Sequence, residues 1–182
     1  MNFLERIAQM FEKFYPNEYF DSTYSIDFEA EYKKGKRGLI FDIDNTLVPH
    51  GADADERAIE LFKKLKDIGF KICLLSNNKV ERVERFNSDV NVDYIYDAHK
   101  PSVKGYNRAM EKMGTKKHET LFVGDQLFTD VYGANRAGID TYLVKPIHPK
   151  EEIQIVLKRY LEKIVLKCYL KDKKKKGNNS EK

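Results

Sequence analysis

The chain has 182 residues, a length that favours one globular domain with short terminal extensions over two full domains. Hydrophobic residues make up 41% and charged residues 34%, enough for a real core but leaving no stretch able to cross a bilayer. Lys plus Arg is 33 against 29 for Asp plus Glu, and residues 171–182 hold six bases and two acids, which leaves 27 against 27; the excess of +4 belongs to the tail and speaks against a nucleic-acid-coating body.

Phe3, Leu4, Ile7, Met10, Phe11 and Phe14 recur at helical spacing among charged residues, which predicts an amphipathic helix over residues 1–15, ended by Pro16 and Asn17. The charges at Glu5 and Arg6 break up any secretory leader, so the expectation is a cytoplasmic protein. A second short helix is expected near Asp27 to Lys34. From Gly38 the pattern becomes one of short apolar runs alternating with amphipathic segments, the signature of βα units on a parallel sheet. Five strands are read at Leu39 to Asp42, Lys71 to Ser76, Tyr94 to Asp97, Leu121 to Gly124 and Thr141 to Val144. The first intervening helix carries Ala58, Leu61, Phe62, Leu65 and Ile68, with Asp53 and Glu56 in capping-box spacing and Gly69 as its stop. Val80, Val83 and Phe86 mark the second, Val103 to Met113 the third, and Val131 to Ala137 the fourth. Pro149 opens a last helix with Ile153, Leu157, Leu161, Ile164 and Cys168 as its apolar set, before a Lys-rich stretch expected to be disordered. The fold expected is α/β, a doubly wound five-stranded parallel sheet with helices on both faces. Residues 1–37 form a helical extension, 38–170 the main domain and 171–182 a basic tail. Cys73 and Cys168 stand 95 residues apart without a C-x-x-C, which argues against a disulfide framework or a zinc site.

In an open parallel sheet, ligands sit beyond the carboxyl ends of the strands. The residues found there are Asp42-Ile43-Asp44-Asn45-Thr46, Ser76-Asn77-Asn78, Lys100-Pro101, and Gly124-Asp125 with Asp130 five residues on. Several carboxylates at one site repel one another unless they share a cation, and an all-oxygen set suits Mg²⁺ better than zinc. With Mg²⁺ and the Lys100 ammonium, such a site would attract a phosphate dianion and neutralise its oxygens. One carboxylate can then attack phosphorus while a second, two residues later, protonates the leaving alcohol and afterwards activates water. Strand alternation points Ile43 away from both acids. His50 and His99 flank the motifs, but Asp44 already answers for the acid/base work.

Taken together and in this order, these segments resemble the four motifs of the haloacid dehalogenase superfamily of aspartate-dependent phosphatases, over residues 38–145. The resemblance implies that Asp42 is the nucleophile and a Mg²⁺ ligand. It makes Asp44 the general acid/base, with its main-chain carbonyl on the metal, and Lys100 the bridge between nucleophile and phosphate. Thr46, Ser76 and Asn77 would steady the loop and contact the substrate, while Asp125 and Asp130 would serve the metal. In that superfamily, cap domains inserted after the first motif or between the second and third select the substrate. Residues 47–75 and 77–99 leave no room for one, so a capless, open site is expected.

The Asp-Asn-Thr form of the first motif and Gly-Asp-Gln-x-x-Thr-Asp at 124–130 are similar to the bacterial YqeG group, related to mitochondrial phosphatidylglycerophosphate phosphatases. By that resemblance the substrate is a lipid headgroup phosphate and the product phosphatidylglycerol. The first helix and Lys173 to Lys176 are then candidates for peripheral contact with an anionic membrane. Other readings are a phosphatase for a soluble phosphomonoester or phosphoprotein, and a phosphate-binding scaffold with a silent site. A response-regulator receiver leaves the Ser76 and Asp125 positions without explanation. Oligomeric state is left open, and no nucleic-acid partner is expected.

Overall fold

The strands expected from the apolar runs are present in the computed structural model, which describes residues 11–148 and 153–179, with side chains described for 11–148 and 160–174. Among the described residues six strands form one parallel sheet: β1 (Glu18–Phe20), β2 (Gly38–Phe41), β3 (Lys71–Leu75), β4 (Asp93–Ile95), β5 (Thr120–Gly124) and β6 (Asp140–Val144). Their order is β1-β6-β5-β2-β3-β4. The helices are α1 (Phe28–Lys33), α2 (Glu56–Ile68), α3 (Val80–Val90), α4 (Val103–Met113), α5 (Tyr132–Ala137) and α6 (Ile153–Asn179).

Successive strand residues face opposite sides of a sheet, and here both sides are covered. Leu39, Phe41, Leu74, Leu121 and Val123 pack with Phe62 and Leu65 of α2 and Val83 and Phe86 of α3. Their neighbours Ile40, Cys73, Leu75 and Phe122 pack with Tyr106 and Met110 of α4 and Ala134 of α5. Burial on both faces explains why these strands read as unbroken apolar runs.

The sixth strand, β1, lies outside the five read from the sequence. It is a three-residue, half-buried edge strand whose Glu18 and Phe20 register with Tyr142 and Val144, so it needs no apolar run to announce it. Most of the helix expected over residues 1–15 falls outside the described residues; Glu12–Phe14 form a 3₁₀ turn whose Phe14 ring packs 5.0 Å from Phe128 and 4.9 Å from Tyr132. The cap of α2 is Asp55, which accepts from Ala58 N at 2.8 Å, and not Asp53, which pairs with Arg85 at 2.5 Å. The inward face of α6 is Glu162, Val165 and Tyr169, because Val165 joins Leu127, Val131 and Leu143; Leu161 and Ile164, two of the apolar set read from the sequence, are exposed. The Lys-rich stretch continues this helix through Asn179, with Lys173 paired to Glu18 and Asp172 accepting from the Tyr15 hydroxyl.

No domain is inserted between Asp42 and Lys100: only α2, β3, α3 and β4 lie there. The chain order reverses at β2, whose neighbours are β3 on one side and β5 on the other. That is the crevice where a ligand sits in such folds.

Candidate active site

The site begins where the β2 ladder makes its last bond, from Asp42 N to Val123 O at 3.0 Å. Beyond it the chain folds back on itself. Asn45 takes a left-handed conformation, φ 62°, Leu47 N donates to Ile43 O at 2.9 Å, and Ile43 is sealed in the core. This turn returns the Thr46 hydroxyl to within 3.3 Å of both Asp42 Oδ2 and Asp125 Oδ1. The turn is held from outside by the segment after β1, where the Thr23 hydroxyl donates to Thr46 O and the Tyr24 hydroxyl to Leu47 O, each at 2.7 Å.

Lys100 is buried with its ammonium 2.5 Å from Asp42 Oδ1 and 2.8 Å from Asp130 Oδ1. Asp130 sits in the π-helical turn Leu127–Val131, its Oδ2 accepting from Gln126 N at 3.1 Å. A Cβ at Gly124 would lie 2.5 Å from that same oxygen, so only glycine lets Asp130 fold back over the end of β5. Asp42, Asp125 and Asp130 each present an oxygen within 4.8 Å of the others, and all three are buried. Burial brings three carboxylates together around one ammonium. Asp42 is accordingly pushed up to about 6, because burial and the neighbouring Asp130 outweigh the ammonium of Lys100. Burial works to lower Lys100, but Asp130 and Asp42 overcome it and hold the lysine above its ordinary range.

The strand order places Asp42 and Asp125 at the ends of the neighbouring strands β2 and β5, with Lys100 reaching them from beyond β4. Residues 52–138 match the haloacid dehalogenase-like hydrolase family. Over 159 residues the chain is 37% identical to the probable phosphatase YqeG of Bacillus subtilis, covering 86% of this chain and 92% of that one. The chain belongs to the haloacid dehalogenase-like hydrolases. It is also 27% identical over 157 residues to phosphatidylglycerophosphate phosphatase 1, chloroplastic/mitochondrial, of Arabidopsis thaliana, covering 80% of this chain but 45% of that protein. The NagD structure from Escherichia coli K-12 shares the fold, with a TM-score of 0.51 at 15% identity, covering 66% of this chain and 91% of that one.

Within this hydrolase the remaining predicted residues form a second group beside the carboxylate cluster. Ser76 is buried, and its hydroxyl accepts from Asn78 N at 3.1 Å and Asn78 Nδ2 at 3.0 Å. Asn77, expected at the phosphate, spends its amide on the main chain of Lys100, accepting from Lys100 N at 2.6 Å and donating to Lys100 O at 3.3 Å. Its visible work is to position the lysine. Asp44 is turned out of the three-carboxylate cluster. Its Oδ1 accepts from Gly51 N at 2.7 Å and Arg82 Nη2 at 2.9 Å, and its Oδ2 from Asn78 Nδ2 at 2.5 Å. His50 stands 3.8 Å from the same carboxylate.

Sequence reasoning gave Asn78 and Arg82 no role. Arg82 sits one helical turn beyond Asn78, the spacing that brings two side chains to one side of a helix end. That spacing was the available signal. Among the described residues no helix is long and apolar enough to cross a membrane.

Proposed function

We propose that this hydrolase is a phosphomonoester phosphatase that works through an aspartyl-phosphate on Asp42. The observation that carries the reading is the buried Lys100 ammonium shared by Asp42 and Asp130 within a cluster of three carboxylates. The cluster of three buried carboxylates is an all-oxygen donor set, which fits Mg²⁺. Asp42, Asp125 and Asp130 would hold it, with the Asp44 main-chain carbonyl as a further ligand. Bound there, Mg²⁺ supplies neutralisation of the phosphoryl oxygens.

An Asp42 oxygen attacks phosphorus, and the bond from phosphorus to the ester oxygen breaks with its electron pair leaving on that oxygen. Protonated Asp44 gives its proton to the departing alcohol. Water then attacks the aspartyl-phosphate, Asp44 takes the proton from it, and the bond from phosphorus to Asp42 breaks to release phosphate. Lys100 holds Asp42 in place and offsets charge on the transferring group. Thr46, in the turn after β2, and Ser76, at the end of β3, provide hydroxyls.

The substrate class we propose is a phosphate on a lipid headgroup, with phosphatidylglycerophosphate as the first candidate. Two features support it: the likeness to the Arabidopsis phosphatase of that name, and the lack of any inserted cap between Asp42 and Lys100, which leaves room for a bulky carrier. The test is phosphate release with Mg²⁺ from phosphatidylglycerophosphate in mixed micelles against a panel of soluble phosphomonoesters, with Asp42→Asn as the blank. A large lipid preference abolished by the substitution is expected. Equal activity on soluble esters, still abolished by it, would overturn the substrate and keep the chemistry. Activity surviving in Asp42→Asn would overturn the chemistry.

A further inference from the structure

Four of the seven large apolar side chains that stand exposed among the described residues lie on one helix, α6: Tyr160 (67%), Leu161 (50%), Ile164 (47%) and Leu170 (40%). The inward face of this helix is pinned at both ends of its described stretch. Glu162 accepts from Leu127 N at 2.8 Å and Phe128 N at 3.4 Å, at the start of the turn that carries Asp130. Val165 enters the core, the Tyr169 ring packs 5.4 Å from Tyr15, and Asp172 and Lys173 are engaged by Tyr15 and Glu18. The outward face is therefore set by packing.

That face carries Lys163, Lys167, Lys171 and Lys174, all exposed, with Tyr160, Ile164 and Leu170 between them and no acid. Lys163, Leu166, Lys167, Leu170, Lys171 and Lys174 line a shallow groove of about 460 Å³ along the helix. Among the described residues none of the four lysines makes an ion pair.

We propose that this face of α6 docks on an anionic lipid surface. Lysine stems lie along apolar material while their ammonium groups reach phosphate, and the aromatic and aliphatic side chains between them enter the boundary of the acyl chains. The charge decides among occupants. A second copy meeting this face symmetrically would set four lysines against four lysines. A nucleic acid would answer the charge but leave Ile164 and Leu170 in water. Docking is independent of the reaction assigned to Asp42, so it is read without turnover.

The test is co-sedimentation of the full chain with vesicles of phosphatidylcholine containing phosphatidylglycerol, and with vesicles of phosphatidylcholine alone. The protein is expected to bind the first and not the second, with binding falling as salt rises. Replacing Lys163, Lys167, Lys171 and Lys174 together by Gln should lower partitioning at least ~100-fold, at roughly fivefold per lysine near the surface. Ile164→Ser with Leu170→Ser should weaken binding that persists at high salt. Turnover of a small soluble phosphate ester by both variants should match the unaltered protein. Three results would each overturn the proposal: no binding to the anionic vesicles, undiminished binding by the four-lysine variant, or a concentration-dependent dimer in light scattering that Ile164→Ser abolishes. The last would make the face a contact between copies.

Discussion

Arg82 Nη2 lies 2.9 Å from Asp44 Oδ1, so the second acid of Asp42-Ile43-Asp44 is held by a helix α3 arginine while the first is held by Lys100. Two acids two residues apart thus receive different cations from different elements. The same arginine donates to Ala52 O at 2.7 Å, which ties the loop after β2 to α3. Asn78 completes the hold by bridging Asp44 and Ser76.

If Arg82 acts by positioning Asp44, Arg82→Gln should lower kcat on an alkyl phosphate about 10- to 100-fold, part of the ~10²–10⁴ that general acid–base catalysis supplies. KM should change little. Added to Asp44→Asn the substitution should cost almost nothing more, a non-additivity measured by a double-mutant cycle in steady-state kinetics. Full additivity would place Arg82 elsewhere in the reaction.

Asp42 makes a prediction about stability that runs opposite to its role in activity. Its folded value is raised from 3.8 to about 6, so the folded protein binds this proton more tightly than the unfolded chain does. The stabilising contribution is full below the unfolded value and is lost as pH rises through 6. In Mg²⁺-free buffer, Asp42→Asn should therefore unfold at a higher temperature than the unaltered protein at pH 7.5, by several degrees, with the gap narrowing towards pH 5. Thermal unfolding in the presence of a chelator reads this directly; a gap that widens on acidification would contradict the assignment of charge.

Removing Lys100 should do the reverse. Lys100→Met leaves Asp42 and Asp130 buried without their cation, and breaking a buried pair from one side typically costs about 3–5 kcal/mol. Chemical denaturation without metal should show a loss of that order. Added Mg²⁺ should recover more stability in Lys100→Met than in the unaltered protein, because more uncompensated charge is available to it.

The bond from the Thr23 hydroxyl to Thr46 O lies in a fully buried setting. Thr23→Val keeps the shape and leaves that carbonyl without its donor, an expected loss of about 1–3 kcal/mol. If the segment after β1 also shapes the first motif, kcat should fall with it while Tyr24→Phe, a less buried contact to Leu47 O, has a smaller effect. Equal stability of Thr23→Val and the unaltered protein would mean that the segment merely lies against the loop.

Much of the layout is legible in the sequence because buried parallel strands must be apolar on both faces. Leu39-Ile40-Phe41, Ile72 to Leu75 and Leu121-Phe122-Val123 could be read as strands for that reason, and the polar residues after them had to lie on one edge. The edge strand Glu18–Phe20 could not be read, since three half-buried residues carry no period. Nor could the inward face of α6 be read, where Leu161 and Ile164 look apolar enough to be core, yet Glu162, Val165 and Tyr169 are the residues that meet the turn at Leu127.

Chain order and residue type by themselves determined the five inner and far-edge strands β2 to β6, the absence of an inserted cap, and the gathering of Asp42, Lys100, Asp125 and Asp130 at one strand edge, because those follow from local periodicity and from which residues come next. Which partner each side chain takes was decided only in three dimensions. Asn77 turns to the main chain of Lys100, Asp44 turns to Arg82 and Asn78, and Thr23 reaches Thr46 across 23 residues. Each of these is a hydrogen bond between groups whose nearness depends on how α3, the β4–α4 loop and the N-terminal segment pack, and a linear pattern holds no distance between them.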